Sequence, residues 1–90
     1  MIVDKRIYIS RLPHRAKTVY CYLCDRADPQ GHCWPSTVTM ALDLAISRRT
    51  VFRALKDLED EGFIRRQKQY GKDGEQLTNL YSLKGVRKNV

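Results

Sequence analysis

No stretch of this 90-residue chain is apolar for long enough to cross a bilayer, since a spanning helix needs about 20 such residues. Its first ten residues, MIVDKRIYIS, carry charges early and lack a small-residue cleavage site. They do not read as a signal peptide, which sets the expectation of a cytoplasmic protein. Acidic residues are scarce, ten against seventeen Lys and Arg, for a net charge of +7 and a pI near 9.6. A polyanionic partner is implied. A membrane surface is not, because no helical stretch sets a basic face against large exposed apolar residues. Enzyme chemistry lacks its parts: there is no serine–histidine–acid set, no glycine-rich phosphate loop and no carboxylate pair in an apolar setting. No internal repeat or linker is present, and at this length the chain is one small domain with a modest core.

Cysteine is also scarce, and its count of three is odd, which argues for reduced thiols. Cys21 and Cys24 have the spacing of a zinc half-site, and His32 stands beside Cys33. But Cys21 and Cys24 lie within a helical pattern rather than a tight turn. No metal or other cofactor is expected. The cysteines read as small apolar fillers, with Cys33 in a loop.

What the sequence does contain is periodicity. Residues 1–10 read as a short extended arm. Pro13 suits a helix start, and Ala16, Val19, Tyr20, Leu23 and Ala27 then recur at helical spacing, giving a first helix over roughly 13–27. Asp28 to Gly31 is a turn, and Cys33-Trp34 a very short strand before Pro35. Ser36 suits an N-cap for a second helix, whose apolar face is expected from Val38, Ala41 and Leu42, with Met40 at its edge. Ser47 caps a third helix over 48–61, closed by Gly62. Two strands follow, from Phe63 to Tyr70 and from Gln76 to Leu83, joined at Gly71-Lys72-Asp73-Gly74. Tyr81 and Leu83 share one face. Lys84 to Val90 forms a basic tail. Trp34, Tyr20 and Tyr81 are expected in the core, too scattered to serve as base-stacking platforms.

The third helix is the most informative segment. Val51, Ala54, Leu55 and Leu58 form its buried stripe, and Arg49, Arg53 and Lys56 lie opposite. The acids Asp57, Glu59, Asp60 and Glu61 crowd the other end, so the N-terminal half is cationic and faces away from the core. Such a helix fits a DNA major groove.

The element order is that of a winged helix-turn-helix, an α+β fold of three helices and a C-terminal β-hairpin wing. Residues 36–64 resemble that family closely. Ala41 supplies the small residue of its first helix, Ile46 the apolar residue near the end of the turn, and Val51 the branched residue early in the reading helix. The pieces Pro35-Ser36, SRRTVFRAL, LEDEGFI and Asn79 to Leu83 are similar to winged-helix domains of phage and plasmid replication proteins and of small bacterial repressors. The resemblance covers about residues 12–83. One departure is Ala45, where the turn usually holds glycine.

The resemblance implies sequence-specific binding of double-stranded DNA by a small transcriptional regulator. Two other roles stay open: the DNA-binding part of a replication initiator or its accessory protein, and a winged helix that binds protein. Arg49 and Arg53 are the base-edge candidates, because arginine reads guanine O6 and N7 bidentately. Ser47, Arg48 and Thr50 begin the helix, where free N–H groups favour phosphate. Phe52 either meets a thymine methyl or packs on the wing. Lys56 suits a phosphate, and Thr37 and Thr39 can meet the backbone from the second helix. The wing offers Arg65, Arg66, Lys68 and Lys72 to the minor groove or flanking phosphates. A homodimer is left open.

Overall fold

The computed structural model describes residues 3–83; the expected basic tail with Lys84, Arg87 and Lys88 lies outside the described residues. The element order is α1 (Arg6–Ile9), α2 (His14–Arg26), β1 (His32–Cys33), α3 (Thr37–Leu44), α4 (Arg48–Asp60), β2 (Arg65–Gln67) and β3 (Leu80–Ser82). This is the expected α+β winged helix-turn-helix, with one more helix and one more strand pairing than a bare three-helix core and hairpin.

Helical periodicity builds the centre. Ala16, Val19, Tyr20, Leu23 and Cys24 of α2 face Val51, Ala54, Leu55 and Leu58 of α4, and all are buried. Tyr20 meets Phe63 edge to face at 5.4 Å between ring centroids, an arrangement aromatic pairs favour. Both helices of the helix-turn-helix begin on a serine cap. Ser36 Oγ accepts from Thr39 N–H and Ser47 Oγ from Thr50 N–H, each at 3.0 Å, so each cap satisfies a backbone donor left free in the first turn.

Both helices also end alike. After α3, Ile46 N–H donates to Ala41 O at 3.1 Å and Ala45 N–H to Leu42 O at 3.3 Å. After α4, Phe63 N–H donates to Leu58 O at 2.9 Å and Gly62 N–H to Glu59 O at 3.1 Å. These are paired Schellman closures, which require a left-handed residue. Gly62 provides it at φ 78°; in α3 Ala45 adopts φ 55°, ψ 43°. The turn therefore keeps its left-handed geometry without glycine.

The sheet has the order β1-β3-β2, all antiparallel. His32 and Cys33 pair with Ser82 and Tyr81, and Arg65, Arg66 and Gln67 pair with Ser82, Tyr81 and Leu80. The strand before α3 thus closes the wing onto the helical core. Beyond Gln67 the hairpin continues through a single bridge, Tyr70 to Gln76, so the regular return strand is shorter than the expected 76–83.

Four expectations are corrected. The N-terminal arm holds a helical turn, Arg6–Ile9, seated by Ile7 in the core and by Asp4 N–H donating to Tyr20 Oη at 3.2 Å. Met40 is the buried residue of α3, while Val38 and Leu42 are 47% and 75% exposed. In that eight-residue helix apolar residues occupy most positions, so no stripe is unique, and packing on α4 selects Met40, Ala41 and Leu44. Trp34 is 54% exposed, because the strand ends at Cys33 and places that thiol, not the indole, in the core. Cys33 is buried and lies in the very short strand expected before Pro35, which spans His32–Cys33, and not in a loop.

Candidate nucleic-acid interface

The outward face of α4 follows from its own periodicity. With Val51, Ala54, Leu55 and Leu58 buried, Arg49, Arg53 and Lys56 must face solvent, and they do. The charges around this face are arranged unevenly. Five cations on other faces or at its margins are paired: Arg6 with Asp4 at 2.7 Å, Arg15 with Asp57 at 3.2 Å, Arg26 with Asp43 at 3.0 Å, Arg66 with Glu59 at 2.7 Å and Lys56 with Asp60 at 3.3 Å. Among the described residues no carboxylate pairs with Arg48, Arg49, Arg53, Arg65, Lys68 or Lys72. Lys5, Arg11 and Lys17 are also without a carboxylate partner among the described residues, so most, though not all, of the unneutralised charge there lies on the start of α4 and along the wing.

Between these two parts lies a cleft of about 350 Å3. Thr37 and Arg48 stand on the helical side with Phe52, and Gln76, Leu77, Thr78 and Asn79 on the wing side. Arg48 Nη2 donates to Thr37 Oγ1 at 3.4 Å, and its guanidinium carbon lies 5.7 Å from the Phe52 ring centroid. Stacking on an aromatic face suits a planar guanidinium and leaves further donors available. Phe52 is 47% exposed and borders the cleft with Leu77 and Tyr81.

The remaining site residues divide in the same way. The Ser47 and Thr50 hydroxyls lie 2.9 Å apart, with Ser47 Oγ also capping α4. Thr37 and Thr39 begin α3, and the Thr39 hydroxyl accepts from Ser36 Oγ at 2.9 Å. Arg65, Lys68 and Lys72 are exposed on the wing. Arg66, expected on the DNA side, is turned back: its Nε and Nη2 reach Glu59 Oε1 at 3.2 and 2.7 Å. The pair holds the Glu59 carboxyl below the usual carboxylate range, chiefly through that hydrogen bond. Gln76, Leu77, Thr78 and Asn79 carry no periodic signal in the sequence, being exposed or half-buried residues outside any regular strand, so only the fold brings them to the cleft.

The three thiols are free, and burial raises the pKa of Cys24 and pushes Cys33 up to about 11. Among the described residues no three His, Cys, Asp or Glu side chains gather as a metal site, and no helix is long and apolar enough to cross a membrane. No curated protein and no solved structure matches the chain. The family model for a helix-turn-helix domain matches residues 10–64, more than half the chain and the whole of α2, α3 and α4. With its capped helices, left-handed turn and outward cationic helix, this protein belongs to the helix-turn-helix domain family.

Proposed function

We propose that the protein binds double-stranded DNA sequence-specifically and acts as a small transcriptional regulator. The N-terminal half of α4 lies in the major groove, with Arg49 and Arg53 on base edges. Arg48, Lys56, Thr37, Ser47 and Thr50 meet the sugar–phosphate strand. Arg65, Lys68 and Lys72 carry the contact along the wing to flanking phosphates or the adjacent minor groove. Helix-turn-helix proteins dock in this manner, with the second helix of the motif reading bases from its N-terminal residues.

The observation that carries this reading is the distribution of pairing. Among the described residues Arg6, Arg15 and Arg26 have carboxylate partners while Lys5, Arg11 and Lys17 have none, and the cations on the start of α4 and on the wing, apart from Arg66 and Lys56, are all without one. Unneutralised cations on both a helix and a hairpin match a polyanion, and the cleft between them is where a strand separating major from minor groove would run.

The test is titration against duplex DNA over a range of salt. Contact with about five phosphates gives a log–log slope of about −4 to −5. A flat dependence, or tighter binding to single strands, defeats the proposal. Selection from a random duplex pool supplies the preferred site, and a palindromic outcome identifies a dimer.

A further inference from the structure

Glu59 stands among the acids that end α4, and nothing in the DNA-binding reading uses it. It lies seven residues after Phe52, two helical turns along the same side, so both project toward the wing. Strand parity explains how Arg66 meets it. Side chains alternate along β2, with Arg65 and Gln67 exposed and Arg66 half-buried. Arg66 pairs with the buried Tyr81, and cross-strand partners share a face. Arg66 therefore faces the helices while Arg65 faces away. Its guanidinium then forks two donors onto one Glu59 oxygen, at 3.2 and 2.7 Å, with the side chains 27% and 38% exposed.

We propose that Glu59 and Arg66 are positioning residues, a latch that sets the wing's place against α4, so that Arg66 acts on DNA through Lys68 and Lys72 rather than by its own contact. This inference rests on the DNA-binding reading above. Three features support it. β1 holds β3 to the core, whereas β2 is the outer strand with a ladder of only three residue pairs, so the latch ties that outer strand directly to α4. The latch sits at the root of the hairpin, two residues before Lys68, where a small rotation moves the distal lysines most. The pair is also partly exposed, so it adds little to the stability of the whole fold. Breaking it should therefore leave the fold standing.

The latch makes a prediction that simple charge counting reverses. Removing an acid from a protein that binds a polyanion ordinarily tightens binding. Here Glu59→Ala should weaken it about ten-fold at roughly 0.1 M salt and lower the salt slope by about two, as Lys68 and Lys72 disengage together at about 0.9 per phosphate. Arg66→Gln should match it, and the double variant should lose no more than either. The charge-reversed pair, Glu59→Arg with Arg66→Glu, should recover most of the affinity and the slope. Thermal unfolding by circular dichroism checks that each variant is folded, and the charge-reversed pair keeps the test sound if a single variant is not. If the wild type shows no salt-dependent duplex binding, the DNA-binding reading falls and the latch with it. If the wild type binds and Glu59→Ala binds equally or more tightly with an unchanged slope, the latch alone is overturned. Additive losses in the double variant, or no recovery in the charge-reversed pair, overturn it as well.

Discussion

Ala45 offers a measurement in which backbone strain can be isolated. It holds the left-handed position of the α3 closure at φ 55°, ψ 43°, where Gly62 holds the equivalent position after α4 at φ 78°. A residue with a Cβ in this region carries about 1–2 kcal/mol of strain. Glycine removes it but adds unfolded-state freedom, which takes back about 0.4–1 kcal/mol. Ala45→Gly should therefore stabilise the protein by about 0.5–1 kcal/mol, raising Tm by about 2–8 °C for a domain of this size. Gly62→Ala is the mirror experiment. A Cβ built at Gly62 meets nothing within 4 Å, so its cost is conformational and should be of similar size and opposite sign. The double variant should return near the wild-type value, because the two turns are separate and their effects add. Urea denaturation with an unchanged m-value reads all three. A clear loss of stability in Ala45→Gly, or a shift of both single variants in the same direction, would refute the reasoning.

On the DNA face, Arg49→Ala and Arg53→Ala should cost about 1–3 kcal/mol on the preferred duplex and much less on random duplex, because a base-edge contact discriminates. Lys68→Ala and Lys72→Ala should weaken both duplexes alike and reduce the salt slope by about one each; wild-type behaviour of the helix variants on both duplexes would favour the protein-binding role instead. Chelators should change neither the melting curve nor DNA binding, and stoichiometric zinc in protein purified without added metal would contradict this. Half-buried Cys21 should react with a thiol reagent first, with buried Cys24 and Cys33 following only on opening. Cys33 titrates near 11 when folded against an ordinary 9.0. Its contribution to stability is thus complete below pH 9 and falls as pH rises toward 11, because the unfolded thiol ionises first; urea midpoints across that range, compared with Cys33→Ala, measure it.

Local patterns determined most of the helical architecture. The stripes Ala16–Val19–Tyr20–Leu23 and Val51–Ala54–Leu55–Leu58 specify which faces are buried, because a 3.6-residue period needs no distant partner to be read. Ser36, Ser47 and Gly62 mark ends by chemistry that operates within one turn. The outward placement of Arg49 and Arg53 follows from the same period. Tertiary structure decided what such patterns leave degenerate. Two faces of α3 were apolar enough to bury, and docking on α4 chose Met40 over Val38 and Leu42. Trp34 turned outward because pairing with β3 set the parity of Cys33. The same rule turned Arg66 away from its basic neighbours and onto Glu59, since a one-residue change of register exchanges the two faces of a strand and only the sheet fixes that register. The cleft exists only where α4 and the wing converge, so its lining residues, far apart in sequence, could be joined by the folded chain alone.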